Sequence, residues 1–307
     1  MRSRPDVLVL GVGGVLGEAW MMGVLAGIDE ATGFDMRRCE YFVGTSAGSI
    51  VAAKLAAGQA PERPAVAAPE TERAGPDSSA DGATSIAVEA ARFAGGLATV
   101  AGAPLVSAMM SIATPGSAIA RAVVLRRLPT PGQTLERLRR EIESSGARFD
   151  GRLRVVAVDR RSGRRAVFGS PGGPRATVGE AVEASCAVPW LFAPVTIGGR
   201  EYVDGGVWSP TNLDVAPAGR DTQVLCLSIT AGIDGMSTLV GVARNVARSA
   251  LSLETLVVRG RGSVVRTIAP DDACAAAIGV NLMDRERRDR VLAAGYRQGL
   301  SAARARA

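Results

Sequence analysis

The pentapeptide Gly44-Thr45-Ser46-Ala47-Gly48 constrains this chain more than any other stretch. A strand-like run, Glu40-Tyr41-Phe42-Val43, leads into it, and a helix-like stretch from Ser49 to Ala57 leads out. Strand, sharp turn and helix together are the context that presents a serine at the tip of a nucleophile elbow. Glycines at 44 and 48 allow the backbone to turn that tightly. A second constraint is compositional: the chain contains no histidine. A Ser-His-Asp triad is therefore impossible, and so is an ordinary α/β-hydrolase mechanism. If Ser46 is a nucleophile, its base is a carboxylate, a lysine or a cysteine.

Upstream, Val7-Leu8-Val9-Leu10 reads as a buried parallel strand. It enters the glycine loop Gly11-Val12-Gly13-Gly14-Val15-Leu16-Gly17, after which Glu18 to Ala31 reads as a helix closed by Gly33. The alternation of strands and helices predicts an α/β fold with a mostly parallel sheet and helices on both faces. Residues 59–84 are rich in Pro, Ala, Glu and Asp and read as a flexible insertion. The stretch from Phe93 to Ala120 is uncharged, but small residues dominate it and Pro104 interrupts it. It reads as a helical cap over an apolar pocket; a surface segment dipping into lipid and a transmembrane helix are the other readings. Leu135 to Ile142 forms an amphipathic helix. Leu153–Val158 and Arg165–Phe168 form strands about a turn at Arg161-Ser162-Gly163. Val178–Cys186 is helical, and Val195–Ile197 with Arg200–Val203 makes a hairpin turning on Gly198-Gly199. A strand at Val224–Ile229, a long helix from about Ser237 to Val258 and a strand at Val264–Ile268 follow. The last helix starts at Asp284, read as its N-cap.

Charge and cysteines narrow the classes further. The net charge is +6, and Lys54 is the only lysine. Arginine grips phosphates bidentately, so an anionic lipid surface or phosphorylated substrate is permitted, as is a simple arginine bias of the source. Nothing points to nucleic acid. Cys39, Cys186, Cys226 and Cys274 are widely spaced, with no CxxC pair, and read as free buried thiols rather than a zinc site. Together with an N-terminus lacking an apolar h-region, this predicts an intracellular, cytoplasmic protein, with membrane contact at the inner face through residues 85–120.

Three pieces assemble into one candidate site. Ser46 needs a hydrogen-bonded base. Lys54 lies too far along the same helix, whereas Asp204 stands on a tight turn after a strand, with Gly205 and Gly206 opening space for another element. Taken alone, Asp-Gly-Gly reads first as a turn. Gly13 and Gly14, before a helix N-terminus, can aim backbone N–H groups at an oxyanion, and the Ala47 amide can join them. The competing reading, a dinucleotide loop, fits poorly because Gly17 falls one residue late for GxGxxG and no acidic residue ends a second strand.

Taken together, the residues resemble the patatin-like phospholipases, serine lipid acyl hydrolases with a Ser–Asp dyad. The resemblance lies in the glycine loop (Gly11, Gly13, Gly14, Gly17) leading to Met22-Gly23-Val24-Leu25 and in the elbow (Gly44, Ser46, Gly48). It continues in Ala184-Ser185-Cys186-Ala187-Val188-Pro189 with Phe192-Ala193-Pro194, and in Gly199-Arg200-Glu201-Tyr202-Val203-Asp204-Gly205-Gly206-Val207. It implies a three-layer α/β/α domain over residues 1–307, with a helical cap inserted at about 59–130. It implies Ser46 as nucleophile, Asp204 as base, Gly13 and Gly14 on the oxyanion loop, and a phospholipid or other acyl-ester substrate. Neither metal nor cofactor is required. The chain departs from the family loop at Val12, where a glycine is usual, and at Leu16, where a basic residue is usual. That departure motivates the alternative of a catalytically weak lipid-binding or regulatory protein.

Overall fold

The computed structural model describes residues 4–65, 118–231 and 238–304. Its centre is an eight-stranded sheet: β1 (Val7–Leu10), β2 (Tyr41–Thr45), β3 (Leu153–Asp159), β4 (Arg165–Phe168), β5 (Val195–Ile197), β6 (Arg200–Asp204), β7 (Gln223–Leu227) and β8 (Val264–Ile268). The order is β5-β6-β3-β2-β1-β7-β8, with β4 also on β3. The five strands from β3 through β8 run parallel, while β4, β5 and β6 pair antiparallel. This is the expected mostly parallel α/β sheet. β1 is buried along its whole length, as a central strand covered on both faces must be.

Eight helices surround the sheet among the described residues: α1 (Gly14–Thr32), α2 (Ala47–Ala56), α3 (Ala118–Arg127), α4 (Glu136–Ser144), α5 (Val178–Cys186), α6 (Thr238–Gly260), α7 (Asp272–Ile278) and α8 (Arg288–Arg304). Side chains alternate across β3. Leu153, Val155 and Ala157 join the large core beneath α1, α2 and α5, and Val156 joins a smaller core with Val9, Cys226 and Val258 of α6. Helices therefore cover both faces, in three layers.

Local chemistry explains most element ends. α1 closes on Gly33, whose left-handed backbone places its N–H on Asp29 O. Thr177 and Glu180 cap α5 reciprocally. Gly198 and Gly199 both take positive φ, at 56° and 75°, as a two-residue hairpin loop of this hand requires.

Three readings need correction. α1 begins at Gly14, one turn before Glu18, because the glycine loop itself enters the helix. Asp284 is not the cap of the last helix: its carboxylate accepts from Glu286 N–H in a turn, and α8 starts at Arg288. The strand expected to reach Ile229 ends at Leu227. The sequence reading also passed over α7, which Asp271 caps through Cys274 N–H.

Of the insertion at 59–130, residues 59–65 and 118–130 are described; Glu62 is ion-paired with Arg288, and α3 lies in the second part. The expected flexible and uncharged segments otherwise fall largely outside the described residues, and the cap reading with them. Among the described residues, no helix is long and apolar enough to cross a membrane. All four cysteines are free and buried.

Candidate active site

Sheet register brings the elbow and the carboxylate to one level. Thr45, the last residue of β2, pairs with Val156 on β3. One step further along β2 comes Ser46, and one step further along β3 comes Ala157, whose partner on β6 is Asp204. β4 flanks the other side of β3 at both positions, so β6 takes over from β2 along the same side of β3, and Ser46 and Asp204 stand where the one strand gives way to the other.

Ser46 takes φ 53° and ψ −125°, a conformation that costs a non-glycine residue on the order of 1–3 kcal/mol. The surroundings enforce it. A Cβ at Gly44 would lie 2.5 Å from Ser49 Cα, and one at Gly48 would collide with Leu10 O, so both glycines are sterically obligatory. Gly205 is equally confined, against Val156 O. Gly17 is not: a Cβ there meets Ile229 at 3.6 Å and the Val12 carbonyl oxygen at 3.7 Å, both ordinary contacts.

Ser185 braces the strained residue. Ser46 N–H donates to Ser185 Oγ at 2.9 Å, and the Ser185 hydroxyl donates to Val156 O at 2.6 Å. The same segment anchors the carboxylate strand, because Asp204 N–H donates to Ala187 O at 3.0 Å. From the other side Asn212, held in the left-handed region at φ 51°, donates to Thr45 Oγ1 at 3.2 Å and to Ser209 O at 2.7 Å. Ser185 belongs to the segment Ala184–Pro189 noted for the resemblance but was given no role, and Asn212 was not singled out. The only signals were a serine inside an apolar helix end and an asparagine in a segment that must turn.

Asp204 is fully buried. One oxygen accepts from Gly206 N–H at 2.7 Å; the other, Oδ2, has no hydrogen-bond partner. Burial pushes the carboxyl up to about 7, opposed by the Gly206 amide and by the facing Ser46 hydroxyl. Ser46 thus acts on the carboxylate without closing a full hydrogen bond to it. Cys186 sits beside this pair, its sulfur 3.8 Å from Ser49 Oγ. Burial holds its thiol well above the usual range and the Asp204 charge adds to this, so it stays neutral and unreactive.

The glycine loop lies against the elbow. Gly48 N–H donates to Gly11 O at 3.1 Å, which sets the N-termini of α1 and α2 side by side. Val12 and Leu16, the two departures, spend their N–H groups on Pro210 O and Leu282 O. Among the described residues, the N–H groups of Gly13, Gly14 and Ala47 donate to no protein acceptor. Lys54 is committed to Glu18 at 2.8 Å, which disposes of it as a base. No group of three His, Cys, Asp or Glu among the described residues could hold a metal ion.

A serine on a strained strand-to-helix turn and a buried aspartate thus share one region of a mostly parallel α/β sheet. The family model of the patatin-like phospholipases matches residues 8–217, and the chain belongs to that family. Its members are lipid acyl hydrolases. Among solved structures the chain is similar to VipD from Legionella pneumophila, at 15% identity and a TM-score of 0.46, covering 99% of this chain and 67% of that one. No curated protein matches it.

Proposed function

We propose that this protein hydrolyses carboxylic esters of phospholipids or related acyl lipids through a Ser46–Asp204 dyad. The observation that carries the reading is the buried Asp204 carboxyl, raised to about 7 and facing Ser46 with an unpartnered oxygen. A carboxylate at that value is a far better base toward a hydroxyl than a solvated aspartate.

Ser46 Oγ attacks the ester carbonyl as its proton passes to Asp204 Oδ2. The amides of Gly13, Gly14 and Ala47 receive the oxyanion, supported by the dipoles of α1 and α2. Collapse of the tetrahedral intermediate breaks the ester C–O bond, and the leaving alcohol or lysolipid takes the proton from Asp204. Water then attacks the acyl-enzyme, giving its proton to Asp204; as the ester bond to Ser46 breaks, Asp204 returns that proton to Ser46 Oγ and the fatty acid is released. The loop departures at Val12 and Leu16 alter anchoring and leave these three donors in place. The unspent amides of Gly13, Gly14 and Ala47 are what favours this reading over the lipid-binding alternative.

Hydrolysis of p-nitrophenyl butyrate tests the reading. Wild type should turn over with a rate rising as pH passes through about 7 and level above it, because Asp204 must be ionised to accept the proton. Ser46→Ala should lose on the order of 10³-fold or more. Equal rates in the two proteins would leave the fold as a lipid-binding module.

A further inference from the structure

A second site lies on the sheet face that carries α6. Arg154 projects to that face with Val156, and Arg261 stands in the turn after α6. Both line a cavity of about 480 Å³ whose wall also includes Val167, Asp214 and Pro217. Arg154 Nη1 donates to Val215 O at 2.7 Å, and Arg261 Nη1 donates to Asp214 O at 3.0 Å and Ala216 O at 3.3 Å. Two guanidinium groups thus converge on the carbonyls of three consecutive residues.

Carbonyls orient these cations without neutralising them. The one carboxylate in the wall, Asp214, is already held bidentately by Arg165 at 2.6 and 2.7 Å. Arg165 takes that carboxylate, and Arg154 and Arg261 reach only backbone carbonyls. Arg154 Nε is buried with no acceptor, its guanidinium lies 5.9 Å from the Tyr41 ring centroid, and burial draws the pKa of that side chain down against the opposing effect of Tyr41. The remaining N–H groups of Arg261 also have no acceptor among the described residues.

We propose that this cavity binds a phosphate-type oxyanion carried on a small organic group. The arginine forks supply the charge-assisted donors such a group takes, and Val167 and Pro217 supply an apolar wall for its organic part. The cavity is larger than a bare phosphate needs. The phosphate comes from a soluble phosphorylated metabolite or from a phospholipid headgroup, and the chemistry recognised is the same. The site is separate from the dyad and stands whether or not the ester-hydrolase reading holds.

Calorimetric titration of the full chain with inorganic phosphate and with sn-glycerol 3-phosphate tests it, beside co-sedimentation with phosphatidylcholine vesicles with and without phosphatidic acid. The vesicle arm uses Ser46→Ala, so that no lipid is consumed. Arg261 is exposed and its replacement is compatible with folding, which thermal melts check. Saturable binding of the soluble probes is expected. It should weaken about tenfold or more in Arg261→Gln, the worth of one charge-assisted contact, and recover in Arg261→Lys. Retention on phosphatidic acid vesicles alone, abolished by Arg261→Gln, assigns the headgroup as source. Equal affinity in wild type and Arg261→Gln, or no binding in either arm, overturns the proposal and leaves the arginines as clamps on residues 214–216.

Discussion

Asp204 shares its enclosure with Ser46 and the Gly206 amide, and the strained Ser46 backbone is held in place by a hydroxyl of another element. That hydroxyl belongs to Ser185, which acts on the reaction only through Ser46 N–H and Val156 O. Ser185→Ala leaves Ser46 N–H without its acceptor, at about 1–3 kcal/mol, and takes one donor from Val156 O. The variant should melt lower and lose about 10–10²-fold in kcat through misplacement of the nucleophile, with KM little changed. Wild-type kcat in a folded Ser185→Ala protein would show that the brace is dispensable. Much of the site was legible at this scale because its parts are local. Gly44 and Gly48 flank Ser46 within five residues, and Asp204 announces itself by the two glycines after it. Ser185 and Asn212 were hidden because a lone serine or asparagine reads as a cap or turn until the partner strand is known. Gly17 went the other way: it belongs to the loop motif, yet a side chain there would meet no hard contact.

At the scale of elements, the tightest packing joins α1 to α8. A Cβ at Gly23 would strike Leu292 O and one at Gly27 would strike Tyr296 O; in return, one at Gly295 would lie 2.6 Å from Trp20 O. These obstacles are backbone, so neither helix yields without moving as a body. Gly23→Ala should therefore destabilise by about 1–3 kcal/mol or more, the cost of overpacking, despite alanine's better helix propensity. Urea unfolding followed by circular dichroism measures it; unchanged or increased stability would mean the helices are not so closely docked. Strands and hairpins were readable from alternation and from Gly198-Gly199. Helix ends were less so. Asp284 looks like an N-cap, but its carboxylate closes a turn one helical turn too early. α7 is seven residues of mostly alanine, too short for an amphipathic period to stand out.

For the whole molecule, a buried carboxyl held near neutrality carries a cost in stability. Folded Asp204 titrates at about 7, against about 3.9 in the unfolded chain. Between those values the folded state binds the extra proton, so this group's contribution to stability is greatest below pH 4 and is lost as pH rises through 7. Asp204→Asn keeps an oxygen for Gly206 N–H and carries no charge. It should melt close to wild type at pH 4 and above it at pH 8, in an otherwise inactive protein. Asp29, also raised to about 7 by burial, titrates in both proteins and cancels from the difference. A pH-independent gap would remove Asp204 as the titrating group. The dyad itself is tested most directly by covalent labelling with a fluorophosphonate probe, which reports an activated serine whatever the natural lipid. Wild type should label at one site, Ser46→Ala should not label, and Asp204→Asn should label at a markedly lower rate. Labelling of Ser46→Ala at the wild-type rate, or no labelling of folded wild type, would contradict the account.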